Sequence, residues 1–219
     1  MGLTVHPGVE AVMKRSRRDS ARQLMEVAEA QQGFFTALQA KAAGFSEQAQ
    51  AYHVKMGNWM REHRGIFRLT FYPMVDRPEL MVWYLWSHDR DGRPEGVYSH
   101  ETALGIHGLS DLLPSKLHIT VPPTFGRVNI PEDLVLHRGE VGPDDVEFAY
   151  GVPVTLPVRT LLDLLKADTV AWDLLRQALR QALKEGRITK ADLQRAGENL
   201  DNPEVLRQLY HLVVEVSSW

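Results

Sequence analysis

The stretch GFFTALQAKAAGFSEQAQAYHVKMGNWMREHRGIF, residues 33–67, decides the fold of the first part of this 219-residue chain. Four glycines divide the stretch: Gly33, Gly44, Gly57 and Gly65. Each of the first three follows an apolar-periodic run, where helices often end in a left-handed residue that glycine adopts without steric penalty. The pattern predicts three helices, near residues 20–32, 37–43 and 47–56.

Hydroxyl residues indicate where these helices begin. Ser20 and Thr36 are each followed three residues later by a glutamine, which fits a capping box. Ser46 is placed to cap the third helix. The intervening residues 43–46 have the length and composition of a helix-turn-helix corner.

A hairpin is predicted directly after the third helix. Trp59–Glu62 and Ile66–Tyr72 read as strands around a tight turn that needs the glycine at position 65. Three helices followed by such a hairpin are typical of a winged helix-turn-helix, with the hairpin as the wing.

The third helix is expected to present a polar face to duplex DNA. Ala49, His53 and Val54 recur at helical spacing and are expected to face the other helices. Glutamine can bond adenine edges in the major groove, lysine can bond phosphate or guanine, and the wing tip suits a backbone or minor-groove contact. The candidate DNA-binding residues are Arg15, Arg17, Arg18, Thr36, Ser46, Gln48, Gln50, Ala51, Lys55, His63 and Arg64. The alternative is a winged helix that docks proteins and whose polar face is merely solvated.

Charge is distributed unevenly along the chain. Residues 1–72 hold ten Lys/Arg and six Asp/Glu, a net charge of +4, whereas residues 73–219 carry −7. Much of the positive excess lies in the run KRSRR, residues 14–18. This run predicts either a flexible arm, residues 1–18, that follows phosphates or enters a minor groove, or a solvated terminus.

Composition excludes several classes of protein. The chain has no cysteine, so disulfides and thiolate metal sites are excluded and a cytoplasmic location is expected. Neither a membrane span nor an N-terminal signal peptide is indicated. A hydrophobic share of 44% suffices for two modest domains with their own cores.

The rest of the chain predicts an α+β domain. Short strands are expected at 117–121, 134–138, 146–150 and 152–154, and helices at 79–87, 99–107 and 157–166. Residues 168–219 read as helical, with starts near Trp172, Thr189 and Pro203. The predicted domains are therefore the arm 1–18, the winged helix 19–73 and a second domain 74–219.

Three segments, in this order and spacing, resemble the AbiEi-type antitoxins of bacterial type IV toxin–antitoxin systems. They are GFFTALQAKAAG with AYHVKMGNWMREHRGIF in the first domain, YSHETALGIHGLSDLLPSKLHITVP at 98–122, and GVPVTLPVRTLLDLL at 151–165. The resemblance covers nearly the whole chain. It implies an antitoxin that is also the transcriptional autorepressor of a phage-defence operon. The N-terminal winged helix is expected to bind double-stranded operator DNA, and the second domain to neutralise a nucleotidyltransferase-like toxin without a stable complex.

The resemblance also implies a set of residues in the second domain. The antitoxin-domain motif falls on Ser99, His107, Arg159, Thr160 and Asp163. Gln50 and His53 depart from the family pattern, because relatives usually carry an aliphatic or basic residue at these positions. The DNA sequence that relatives recognise can therefore not be assigned to this protein. The oligomeric state is left open.

An enzyme is not expected, and no cofactor, metal or catalytic residue is assigned. His100 and His107 lie two turns apart on one predicted helix and could bind a metal with His118, but polar or capping roles are the default. A metal-dependent nuclease would use an acidic residue two positions before a lysine, and no such triplet occurs. Arg159 and Asp163 are spaced i, i+4, which favours a structural ion pair. Three alternatives stay open: a winged-helix transcription regulator unrelated to a toxin, a protein-interaction adaptor and a nuclease-like enzyme.

Overall fold

A computed structural model of the chain describes residues 7–110 and 114–217, with side chains from residue 18 onward. The chain divides into two compact units, Met1–Pro94 and Glu95–Trp219. Helices and β-sheets occur together, so the predicted α+β class is confirmed.

The first unit has a small antiparallel sheet and packed helices. Its strands lie in the order β1-β3-β2, with β3 paired to both neighbours. The elements are α1 (Pro7–Ala30), β1 (Phe34–Thr36), α2 (Ala37–Ala42), α3 (Glu47–Lys55), β2 (Trp59–His63), β3 (Ile66–Leu69) and α4 (Pro78–Trp86).

Aromatic rings form the centre of this unit. The ring centroids of Phe35 and Trp59 lie 4.8 Å apart, edge to face, and Phe35 and Phe67 lie 5.9 Å apart. Gly33 adopts a φ of 90°, and a Cβ there would lie 2.5 Å from the Tyr72 ring. Only glycine therefore lets the chain turn from α1 into β1 beneath that ring.

Two of the three helix caps predicted in the first unit are confirmed. Thr36 caps α2 in a complete capping box with Gln39, and the Ser46 side chain accepts from the Ala49 amide at the start of α3. The cap predicted at Ser20 is wrong, because Ser20 lies inside α1.

The first helix begins at Pro7 rather than near residue 20, so the predicted flexible arm 1–18 is wrong over residues 7–18, whose backbone is helical. Proline suits the first helical turn, and lysine and arginine are good helix formers, so the basic run continues the helix. The boundary between units lies at Pro94 rather than at residue 73. The reason is that α4 belongs to the first unit: its Trp83 ring packs 5.0 Å from His63.

The second unit combines a mixed five-stranded sheet with helices. Strand order is β6-β5-β4-β8-β7; β4/β8 and β5/β6 are parallel, and β4/β5 and β7/β8 are antiparallel. The elements are β4 (Val97–Tyr98), α5 (His100–Ile106), β5 (Leu117–Val121), β6 (Leu134–Arg138), a 3₁₀ turn (Pro143–Asp145), β7 (Val146–Ala149), β8 (Val152–Thr155), α6 (Pro157–Ala167), α7 (Trp172–Lys184), α8 (Lys190–Glu198) and α9 (Pro203–Ser217).

One apolar core joins the helices of the second unit. Leu104 of α5, Leu164 of α6, Leu179 of α7 and Leu209 of α9 are all buried in it. The apolar faces of these helices therefore point into the core, and their packing positions α5 and α6 beside the sheet. Within the described residues, no helix is long and apolar enough to cross a membrane.

Candidate functional site

The outer face of α3 is the exposed surface that the sequence singled out. Gln48, Ala51 and Lys55 are exposed there, as predicted from their spacing. Tyr52 is 58% exposed and lies on the same face. Sequence reasoning missed Tyr52, although its spacing of four residues from Gln48 places both on one side of a helix.

Gln50 does not lie on this face, and its prediction as an outward residue is wrong. Its side chain is buried, and its amide nitrogen donates to the carbonyl oxygens of Ala37 at 3.2 Å and Phe45 at 3.0 Å. A helix turns by about 100° per residue, so Gln50 lies about 200° from Gln48. The amide links the start of α2 and the interhelical turn to α3.

A stack of rings supports the inner side of α3. His53 stacks on buried Trp59 with ring centroids 4.8 Å apart, as the predicted inward placement requires. Burial lowers the pKa of His53 below its usual value. The neutral ring therefore accepts at Nδ1 from the Asn58 side-chain nitrogen, 3.2 Å away.

Only one of the two residues proposed for the wing tip is presented to solvent. Arg64 is exposed in the turn between β2 and β3. His63 is half-buried and packs edge to face against Trp83, so its prediction as a free tip residue is wrong. The cause is α4, a neighbour that the local sequence does not reveal.

The remaining candidates of the first unit have mixed placements. Arg18 is exposed on α1, and the side chains of Arg15 and Arg17 lie outside the described part of the structure. Thr36 and Ser46 use their hydroxyl oxygens to cap α2 and α3. Ser46 is exposed beside the outer face of α3, whereas Thr36 is half-buried.

Arg159 is the centre of a polar network in the second unit. Its Nε donates to Asp163 Oδ1 at 2.9 Å, confirming the predicted structural pair. Its other nitrogens donate to Asp145 Oδ2 at 2.6 Å and to the Glu140 carbonyl at 2.9 Å. Burial raises the pKa of Asp163, an effect that Arg159 opposes. Arg159 thus ties α6 to the segment before β7.

His107 and Thr160 meet at one main-chain carbonyl. His107 Nε2 donates to the Thr155 carbonyl oxygen at 2.7 Å, and Thr160 Oγ1 donates to the same oxygen at 3.1 Å. Burial lowers the pKa of His107, so the neutral ring accepts at Nδ1 from Arg187 at 3.2 Å. Arg187 also pairs with Glu147 at 3.2 Å, a contact that no local pattern signals.

Ser99 belongs to a third group, a cluster of histidines. Ser99 precedes α5, but its hydroxyl does not cap the helix; it accepts from Thr120 Oγ1 at 2.7 Å and lies 2.9 Å from His100 Nδ1. The His100 and His137 rings stack at 3.4 Å, and His137 Nε2 lies 3.1 Å from His118 Nδ1.

This cluster is not the histidine group that the sequence suggested. His107 is held elsewhere, and His137 of β6 takes its place beside His100 and His118. Burial lowers the pKa of His100 to about 3 and that of His137 to about 4, so both rings are neutral at neutral pH. Among the described residues, no group of three or more His, Cys, Asp or Glu side chains is arranged to hold a metal ion.

Comparison with protein families identifies the second unit. Residues 96–212, more than half of the chain, match the AbiEi antitoxin C-terminal domain. The chain belongs to the AbiEi antitoxin family. It is accordingly an antitoxin of a toxin–antitoxin system. Its AbiEi domain contains all five residues of the predicted antitoxin-domain motif, together with the histidine cluster.

A solved structure shares the fold of this antitoxin. The crystal structure of the RV2827C protein from Mycobacterium tuberculosis aligns with a TM-score of 0.57 and 14% sequence identity, covering 90% of this chain and 77% of that chain. No curated protein matches the sequence.

Proposed function

We propose that this AbiEi antitoxin is also a DNA-binding autorepressor, and that its first unit is a winged helix-turn-helix that reads operator DNA with α3. The observation that carries the proposal is the outer face of α3, which exposes Gln48, Tyr52 and Lys55 together. The order of elements, with two short helices before a hairpin that includes exposed Arg64, is that of winged-helix DNA readers.

The electrostatics support a polyanionic partner for this unit. The net charge of +4 over residues 1–72 contrasts with −7 over the remainder of the chain. Lys55 and Arg64 are exposed on α3 and at the wing turn, where phosphates flanking a groove would lie. Glu47, also exposed on α3, is the one carboxylate on this helix and opposes phosphate binding locally.

A mobility-shift titration tests the DNA-binding proposal. The full chain should retard a duplex carrying the sequence upstream of its own gene at protein concentrations that leave a scrambled duplex free. Equal retardation of both duplexes would indicate non-specific binding only. If neither duplex is retarded, a protein-docking role for the outer face of α3 is favoured.

We further propose a type IV mechanism in the cytoplasm, in which the AbiEi domain counters a nucleotidyltransferase-like toxin without forming a stable complex. Membership of the AbiEi family supports the antitoxin role. The class of the toxin and the absence of a stable complex are further parts of this proposal. Co-expression should restore growth to cells that produce the toxin, while the two purified proteins elute separately from a sizing column. Co-elution would contradict the type IV mechanism but not the antitoxin role.

A non-enzymatic antitoxin is the simplest proposal for the AbiEi domain. Two of its acidic side chains beside β7 are already engaged, Asp145 by Arg159 and Glu147 by Arg187. No lysine stands in the spacing that a metal-dependent nuclease uses. Incubating the purified chain with DNA or RNA in magnesium or manganese should leave the nucleic acid intact, and cleavage would restore the enzyme alternative.

A further inference from the structure

The outer face of α3 has an apolar part as well as a polar part. Gln50 points into the core, and Gln48, Tyr52 and Lys55 lie on the opposite face of α3. These three share a face because residues four and seven positions apart lie on one side of a helix. Ala51 is exposed beside Tyr52. A ring and a methyl group therefore stand next to one glutamine and one lysine.

The Tyr52 ring is held in place although it is exposed. Its centroid lies 5.7 Å from that of His53, edge to face, and His53 in turn stacks on Trp59. Trp59 is 4% exposed and packs against Phe45 and Phe35. Tyr52 is thus the outermost ring of a stack rooted in the core, so binding through it orders few additional torsions.

The chemistry of this face selects a particular base. Thymine carries the only methyl group that the four DNA bases present in the major groove, and apolar side chains contact it. Glutamine forms its paired hydrogen bonds with the N6 and N7 atoms of adenine. Gln48 lies one helical turn from Tyr52, so the two side chains would meet neighbouring base pairs.

We propose that Tyr52 contacts a thymine 5-methyl group while Gln48 bonds an adenine close by, so that the DNA site of this protein contains neighbouring A·T pairs. This inference rests on the proposed function, because it requires α3 to lie in a major groove. It assigns Tyr52 as a specificity-determining residue and predicts the composition of the site.

A random-sequence duplex pool provides the test. Rounds of selection with the full chain should enrich duplexes that share A·T pairs. Each shared thymine is then replaced by uracil, which removes only the methyl group. At one or two positions the affinity should fall about fourfold, the factor expected for exposing one buried methyl-sized group.

Variants connect this loss to one side chain. Tyr52→Ala should bind the thymine and uracil duplexes equally, whereas Tyr52→Phe, which keeps the ring, should retain the preference for thymine. Tyr210→Ala is the matched control, because Tyr210 is 55% exposed but lies on α9 of the other unit. It should behave as the parent. Unchanged melting curves establish that each variant is folded.

The outcomes of these experiments distinguish failure of the thymine contact from failure of the proposed DNA-binding function. Enrichment of G·C sites, or uracil tolerated at every thymine, overturns the thymine contact while DNA binding stands. Equal weakening of selected and unselected duplexes by Tyr52→Ala would mean that Tyr52 reads no base, which also overturns it. Enrichment of no duplex overturns both.

Discussion

At the scale of single residues, Arg159 connects more of the second unit than any local pattern indicates. It bonds the buried Asp163, the half-buried Asp145 and a main-chain carbonyl. Removing it leaves the Asp163 carboxylate buried without its cation, which costs on the order of 3 kcal/mol. Arg159→Ala should therefore lower both the melting temperature and the antitoxicity, measured by thermal denaturation and by growth of toxin-producing cells.

The control is an arginine in an exposed ion pair. Arg207 pairs with Glu204 on the surface of α9, with side chains 75% and 55% exposed. Water screens such an exposed pair, so it adds little to stability and Arg207→Ala should melt close to the parent. Lost antitoxicity in Arg159→Ala at unchanged stability would instead assign Arg159 a role in contacting a partner.

The histidine cluster predicts that the second unit loses stability in acid. In the unfolded chain histidine binds a proton near pH 6.5, whereas folded His100 and His137 do so only near pH 3 and 4. Unfolding therefore takes up protons between these values, and stability decreases as the pH falls from about 6.5 towards 4. The slope is at most about 1.4 kcal/mol per pH unit for each ring.

Thermal melts between pH 7.5 and 4.5 check this expectation. His137→Gln removes one of the two stacked rings and should give a shallower dependence of the melting temperature on pH than the parent. His211→Gln is the control, because it removes an exposed histidine of α9 that lies outside the cluster. A melting temperature of the parent that does not change over this range would contradict neutral, buried rings.

At the scale of elements, the two glutamines of α3 should respond differently to the same change. Gln50→Leu removes two hydrogen bonds to main-chain carbonyls, so it should destabilise the first unit by about 1–3 kcal/mol. Gln48→Leu alters an exposed position and should shift stability by less than about 0.5 kcal/mol. Chemical denaturation measures both, and equal effects would mean that Gln50 is not the interior residue of this helix.

Elements whose signal is local could be predicted from the sequence. The strand at 117–121, the helix beginning at Pro157 and the capping box at Thr36 are confirmed because alternation, proline and hydroxyl caps act within a few residues. The three-residue strand β1 was not predicted, because it is too short for a periodic pattern and exists through its pairing with β3.

Long-range contacts explain the failures in the candidate sites. Polar residues usually face water, which predicts an outward Gln50, but two carbonyls near the helix-turn-helix corner make its burial favourable. The histidine cluster joins residues of α5, β5 and β6, whose proximity depends on strand order. His63 was misplaced for the same reason, since its neighbour Trp83 is twenty positions further along the chain.

At the scale of the whole molecule, the two units should have separable tasks. Residues 1–94 form a compact unit with its own aromatic core. We expect this fragment to melt cooperatively and to bind the upstream duplex, but not to rescue cells from the toxin. Full rescue by the fragment would contradict the assignment of antitoxicity to the AbiEi domain.

The most direct test of sequence-specific DNA reading by α3 is a salt series of affinities for the upstream and scrambled duplexes. The parent should prefer the upstream duplex by roughly 10³-fold or more. Gln48→Ala should lose about 1–3 kcal/mol on that duplex alone. Lys55→Ala and Arg64→Ala should weaken both duplexes alike, each reducing the log–log salt slope by about 0.9. If all three variants bind both duplexes as the parent does, α3 does not lie in the groove and its proposed reading of operator DNA is wrong.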